Sequence, residues 1–388
     1  MIDPKVRDDF YGIDQRVFFN NATYAPVLKV VKQSIDDYIA GVMNLNVGDV
    51  EAKNHLAAIR QNAASLIGAE PDEIEFAINT SWGINLAVLG LDWQPGDEVL
   101  MPDNEFASVP YPFRVLENQG VVVKYIPTVD RNFSFEEMSK LVTPRTRVLA
   151  ISFVQYFNGF RNDIKMLGEF CQQRGIYFLV DAIQGLGVCP LNVKECHIDL
   201  LACGAQKWLL SPLGSGFFYV SRQAKRTLKS FTTGWMGVDW QLDYTDLTHF
   251  DRDSFEDARR FNLGTYPYIQ LWGMAAALKY INDIGVENIF KHNLALIDRL
   301  IEYIRRDDFY RVNGSLDPAH RSQIMNISSP ANERLHKYLL HSGFVLVYRE
   351  GGVRVAVNFY NTTEEIDRLI ATLKQFKTQE VAVNGNSR

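Results

Sequence analysis

Two kinds of hydrophobic pattern alternate along the chain. Short apolar runs without helical period, closed by glycine, proline or charge, predict buried strands at residues 73–78, 98–101, 120–125, 147–153, 177–180, 200–203 and 216–220. Between them, apolar residues three and four apart predict helices over 27–42, 49–67, 134–142 and 162–174, and another apolar helix opens at Asn79–Asn85. Strand and helix in alternation imply a mostly parallel sheet with right-handed crossovers, which binds its ligands beyond the carboxyl ends of the strands. Past residue 265 the pattern becomes a smaller α/β unit. Its predicted parts are helices over 269–284, 286–305 and 333–342, strands at 323–328, 344–348 and 353–357, and a closing helix over 363–376 capped by Thr362 or Thr363 with Glu364 or Glu365 in its first turn. The expected organisation is an N-terminal segment 1–25 packed at the active site, a large domain 26–265 and a small domain 266–388, with the polar tail 377–388 frayed.

The stretch 230–261 fits neither period and carries Phe231, Trp235, Trp240, Tyr244, Phe250 and Phe255. Linkers are poor in aromatics, so an interface that also roofs the active site is expected there.

Composition narrows the class. A net charge of -6 disfavours a nucleic-acid partner, which a clustered basic surface would attract. The four cysteines, Cys171, Cys189, Cys196 and Cys203, lack metal-ligand spacing, so they are expected to be free thiols in a reducing compartment, with no metal site and no disulfides. The first ten residues lack the apolar core of a signal peptide, and no apolar run reaches the roughly 18 residues of a membrane span. A cytoplasmic protein without membrane association is expected.

Candidate chemistry lies at the strand ends. Asp181 closes the run 177–180, and Lys207 follows the run 200–203 in a turn of small residues. A lone aspartate there is ordinarily a helix cap, and a lone lysine is ordinarily solvated. With Gln184 and Gln206 beside them, however, they form the set that pyridoxal phosphate needs: an amine to condense with its aldehyde and an acid to keep its ring nitrogen protonated. The turn Asn79-Thr80-Ser81-Trp82-Gly83-Ile84-Asn85 sets hydroxyls and free N–H groups at a helix start, which is either a plain N-cap or an anion site. Phe106 sits beyond a strand end, where it can pack in the core or stack on a ring. Asn20 and Asn21 read locally as turn residues. A nicotinamide site is disfavoured, because Gly185-Leu186-Gly187 falls short of G-x-G-x-x-G.

Five motifs in order, N-T-S-W-G-I-N (Asn79–Asn85), V-D-A-I-Q-G (Val180–Gly185), G-A-Q-K-W (Gly204–Trp208), R-F-N-L-G-T (Arg260–Thr265) and R-V-A-V-N-F-Y-N-T (Arg354–Thr362), resemble the class V aminotransferases among fold-type I pyridoxal-phosphate enzymes. That group includes cysteine desulfurases, kynureninases and isopenicillin N epimerase-like proteins. The resemblance implies a large cofactor-binding domain, with a mostly parallel sheet of seven-stranded type between helices, plus a smaller C-terminal α/β domain. It implies Lys207 as the imine-forming lysine and Asp181 as the partner of the pyridine nitrogen. Gln184 would lie beside the cofactor's phenolic oxygen and Phe106 over its ring. Ser81, Gln206 and Thr80 would hold the phosphate, and Thr265 would reach the phosphate in the other subunit of a homodimer. Arg354, with Asn21, would hold the substrate carboxylate.

Departures from the family pattern are equally specific. Desulfurases carry a nucleophilic cysteine just before the carboxylate-binding arginine, and residues 343–353 contain none. Phe106 replaces the ring-stacking histidine, and Tyr156 stands where an asparagine near the cofactor's oxygen is common, leaving Gln155 as a substitute. The expected activity is transamination of a small amino acid. C–S, C–Se or C–C lyase chemistry and epimerisation are the alternatives, and a catalytically silent scaffold is the non-enzyme reading.

Overall fold

The computed structural model describes residues 2–46, 49–229, 234–240, 245, 247–248 and 250–385. A short strand, β1 (Val17–Phe18), precedes helices α1 (Lys29–Met43) and α2 (Asp49–Ile67). The alternation that follows is β2 (Ile74–Phe76), α3 (Thr80–Gly90), β3 (Glu98–Pro102), α4 (Pro110–Arg114), β4 (Val122–Ile126), α5 (Phe135–Leu141), β5 (Thr146–Ser152), α6 (Ile164–Arg174), β6 (Tyr177–Asp181), β7 (Leu200–Gly204), β8 (Gly216–Val220) and α7 (Arg222–Thr227). Then come α8 (Tyr268–Ile284), α9 (Val286–Ile304), β9 (Arg311–Val312), β10 (Ile324–Ser328), α10 (Asn332–His341), β11 (Phe344–Val345), β12 (Val347–Arg349), β13 (Gly352–Ala356) and α11 (Thr363–Gly385).

The seven runs of the first part form one sheet in the order β2-β8-β7-β6-β5-β3-β4. Only β8 is antiparallel to its neighbours β2 and β7. Strands β3, β6, β7 and β8 are buried almost throughout, with core residues on both faces, and this is why their sequences are apolar without alternation. The edge strand β4 is the exception and exposes Val122 and Tyr125. After β4 the chain crosses to the other side of β3 and continues through β5, β6 and β7. The loops leaving β3 and β5 therefore diverge at a switch point, and a crevice opens beyond their carboxyl ends.

Local chemistry sets the helices that frame this crevice. Asn79 caps α3, its side chain accepting from the N–H of Trp82 at 2.9 Å, and Asp163 caps α6 in the same way at 3.0 Å. Helix α3 lies close against β7 because Gly83 has no side chain; a Cβ there would stand 2.7 Å from the Cβ of Ala202.

The C-terminal part builds an antiparallel sheet, β12-β13-β10-β9, with its own core of residues from α9, α10 and α11. The expected single strand 344–348 is two. β11 pairs in parallel with β1, whereas β12 pairs with β13, so the chain changes sheets at Leu346. The β1–β11 pair ties the N-terminal segment to this part, reinforced by Phe19 stacked on Phe344 at 6.1 Å. Thr362 and Glu365 form the expected reciprocal cap of α11, at 3.3 and 3.1 Å. The tail departs from expectation, since α11 runs on to Gly385. Its extra turns are held from outside the helix: Lys377 bonds Asp307 and Asp308, and Glu380 bonds Arg334. No helix among the described residues is long and apolar enough to cross a membrane.

Candidate active site

The ends of β6 and β7 lie side by side and bring Lys207 within electrostatic reach of Asp181. Asp181 is 1% exposed; one carboxylate oxygen accepts from the N–H of Ile183 and the other from the hydroxyl of Ser108, both at 3.0 Å. Burial raises its pKa above the usual carboxylate range, against the pull of those hydrogen bonds and of Lys207. Burial also draws the Lys207 amine down to about 8; the charge of Asp181 opposes this and that of Arg354 adds to it. The amine lies 5.6 Å from the ring centroid of Phe106, which is 42% exposed and meets Tyr156 edge-on at 5.1 Å.

Lys207, Phe106 and Tyr156 face a cavity of about 290 Å³, and Ser108 stands between it and Asp181. One wall is the start of α3, where Asn79, Thr80 and Ser81 meet Gln206 from the lysine turn. The Thr80 hydroxyl accepts from the N–H of Gly204 at 2.9 Å, so its first task is to fasten α3 to β7, while its own proton stays available. Gln184 also lines the cavity. Its carbonyl accepts from the Trp208 indole at 2.8 Å, and one amide hydrogen is given to the Ala22 carbonyl at 3.0 Å. The opposite wall is Arg354 on β13, 2% exposed, whose terminal nitrogens donate to the Tyr156 carbonyl and the Thr23 hydroxyl, both at 2.7 Å. Its Nε has no partner, and burial, with Arg349 nearby, draws the guanidinium down to about 10.

Three expected site residues lie off this wall. Asn21 is fully buried behind Ala22 and Thr23, and its carbonyl oxygen accepts from Tyr360 at 2.6 Å and Asn358 at 3.2 Å; Thr23 is the neighbour that touches Arg354. Gln155 is buried and gives its amide to Glu105 at 2.9 Å, while Tyr156 lines the cavity. Thr265 is exposed on the surface of the single chain. The aromatic stretch contributes no described residue to the cavity lining; Trp240 is buried, Phe250 is exposed, and Ser230, Phe231 and Tyr244 lie outside the described residues.

Sequence reasoning missed Glu105, Ser108 and Arg349. Glu105 accepts from the backbone N–H and hydroxyl of Ser152 and from Gln155, and burial, augmented by Asp181, raises its carboxyl to about 7. The polar string Asn104-Glu105-Phe106-Ala107-Ser108 after a strand was the available signal, since polar groups at such a strand end face the ligand crevice. Arg349 ends β12, and its turn into β13 has φ of 48° at Glu350 and 79° at Gly351. Two successive positive φ values make a tight hairpin, which aims Arg349 into the cavity. No cysteine lines the cavity, and Cys171, Cys189 and Cys203 are buried free thiols.

Known proteins share this architecture over nearly its full length. The chain is 27% identical over 366 residues to the uncharacterized aminotransferase YcbU of Bacillus subtilis, covering 94% of this chain and 95% of that one. In structure it is similar to the apo cysteine desulfurase of Thermococcus onnurineus, with a TM-score of 0.87, 23% identity and coverage of 97% and 98%. It is similar also to a C-DES mutant with glycine covalently linked to its PLP cofactor, with a TM-score of 0.87, 20% identity and coverage of 96% and 99%. At those identities the two structures establish a shared fold, that of the fold-type I enzymes. Residues 16–369 match the model of the aminotransferase class-V family, and the chain belongs to that family, which works with pyridoxal phosphate.

Proposed function

We propose that this protein is a pyridoxal-phosphate enzyme that transaminates a small amino acid. The observation that carries this reading is a buried amine, drawn down to about 8, sharing one cavity with a buried guanidinium that has no carboxylate partner among the described residues.

The donor set fits the cofactor group by group. A helix start with Ser81 and Thr80, plus Gln206, suits a phosphate, because oriented N–H groups and hydroxyls bind anions without a permanent charge. The exposed face of Phe106 suits a planar ring, and buried Asp181 suits a ring N–H. When bound, pyridoxal phosphate supplies an aldehyde that takes up amines and a ring that accepts the electron pair left at the α-carbon.

The chain's own residues do the rest. Asp181 would keep a proton on the ring nitrogen, its carboxylate fixed by Ser108 and Ile183. Arg354 would orient the substrate through its carboxylate, and the Lys207 amine in the same cavity is the base that would take the α-proton. An amine drawn down to about 8 is half unprotonated near pH 8, so it is available as a base over a range where an ordinary lysine is still fully charged. With the cofactor bound, Lys207 would return that proton on the cofactor's side; water would then release the keto acid, and a second keto acid would carry away the amino group left behind. Elimination of a β substituent is the second reading, favoured by the overall likeness to desulfurases; persulfide transfer is disfavoured because no thiol reaches the cavity.

The exposure of Thr265 in one chain supports a contact with a second copy, so a homodimer belongs to this proposal. Free thiols fit a cytoplasmic location.

Reconstitution with pyridoxal phosphate tests the proposal. Wild type is expected to turn yellow, to keep the cofactor mass on Lys207 after borohydride reduction, and to release keto acid from an amino acid. Lys207→Ala is expected to lose the covalent mass and the keto acid. A wild type that stays colourless, with unmodified Lys207, refutes the enzyme reading and leaves a silent scaffold.

A further inference from the structure

We propose that Arg349 is a specificity residue: together with Arg354 it selects an amino acid whose short side chain carries a second anionic group. This rests on the cofactor reading above and deepens it.

Among the described residues three cations line the cavity, Lys207, Arg349 and Arg354, and no carboxylate does. Like charges repel one another, and the repulsion shows: Arg349 lowers the proton affinity of both Arg354 and Lys207, while Asp181, behind Ser108, offsets it at the lysine. In that reading each of the other groups has its counterpart. The phosphate goes to the start of α3, the aldehyde to Lys207 and the α-carboxylate to Arg354. Arg349 remains.

An exposed arginine on a hairpin is ordinarily solvated or paired with a neighbouring acid. Glu350, the adjacent acid, is taken up elsewhere; its carboxylate accepts from Tyr156 at 3.2 Å and pairs with Arg131 at 3.4 Å. Register then fixes where Arg349 points. Arg354 pairs with Val347, and Arg349 with Gly352, so Arg349 and Arg354 stand diagonally on the same face of the hairpin. Diagonal neighbours stand about 7–8 Å apart, with their Cβ atoms somewhat closer, a separation that two long guanidinium arms close onto the two ends of a short diacid. The hairpin occupies the interval where a desulfurase carries its cysteine, so a cation stands here in place of a nucleophile.

The test is binding of unreactive acids to the reconstituted protein by calorimetry. Wild type is expected to bind succinate and glutarate about tenfold more tightly than butyrate and valerate, the worth of one charged hydrogen bond. Arg349→Gln is expected to abolish that preference with monoacid affinity unchanged, and Arg349→Lys to keep part of it. Amino acids then separate the sources of the anion, because aspartate, glutamate and cysteine sulfinate are each compared with their neutral amides or with alanine by the change in visible spectrum. Equal wild-type affinity for diacid and monoacid overturns the inference, as does an Arg349→Gln variant that weakens both alike while unfolding at the wild-type midpoint. Calorimetry reads this preference whether or not Lys207 carries cofactor, so loss of the cofactor reading, seen as an unlabelled Lys207, is distinguished from loss of this one.

Discussion

Replacing Arg354 by methionine separates a binding residue from a structural one. The guanidinium is drawn down from its ordinary value to about 10, and at about 1.4 kcal/mol for each tenfold change in proton affinity its charge is held in the fold at a cost of about 3 kcal/mol. Against this stand two hydrogen bonds, to the Tyr156 carbonyl and the Thr23 hydroxyl, worth about 1 kcal/mol each. On substitution the Thr23 hydroxyl keeps its bond to Asn20 at 2.7 Å, so only the Tyr156 carbonyl is orphaned, at a further cost of about 1–2 kcal/mol. The gains and losses nearly cancel, and Arg354→Met is expected to unfold in urea within about 1 kcal/mol of the ligand-free wild type. Carboxylate binding is expected to behave differently. A buried arginine that meets its anion only when the ligand arrives contributes about 3 kcal/mol, so the calorimetric affinity for a monocarboxylic acid should fall more than a hundredfold. Stability lost by more than about 3 kcal/mol, the signature of breaking a buried ion pair, would refute the reasoning, and so would an unchanged acid affinity.

Two further outcomes follow from the same geometry. Burial raises Glu105 to about 7, so the fold binds a proton between about 4.5 and 7 that the unfolded chain releases; that contribution is present below about 4.5 and is lost as pH rises through about 7. Glu105→Gln is expected to flatten this part of the stability profile measured in urea at stepped pH, and superimposable profiles would contradict the assignment. Gly83→Ala sets a methyl 2.7 Å from the Ala202 Cβ and 3.2 Å from the Phe218 Cβ, so α3 must lift from β7, costing about 1–3 kcal/mol and weakening retention of the cofactor on gel filtration. Adding Ala202→Gly is expected to restore both, and a double variant no better than the single one would rule out the packing explanation.

Comparison of residues shows where sequence reading stops. Every strand of the large sheet was legible: the central ones because strands buried on both faces must be apolar, and the edge strand β4 from its valines and tyrosine, with each run bounded by residues that turn the chain. Lys207, Asp181, Phe106, Ser81, Gln184 and Gln206 were legible as strand-end groups, and the structure draws all six to one place. The α11 tail was not, because its polar sequence looks unheld until Asp307, Asp308 and Arg334 are brought against it from elsewhere in the chain.

Local pattern by itself determined the alternation of strand and helix, the strand ends and the residue types that stand there, since each depends on neighbours a few positions away. Pairing across distance was left to the tertiary structure. Only the fold could set Thr23, rather than Asn21, on Arg354; hold Gln155 behind the wall with Glu105; and swing Arg349 into the cavity on a hairpin turned by Glu350 and Gly351. Each of these depends on contacts between segments remote in sequence or on the sign of a backbone angle, and a hydrophobic period carries information about neither.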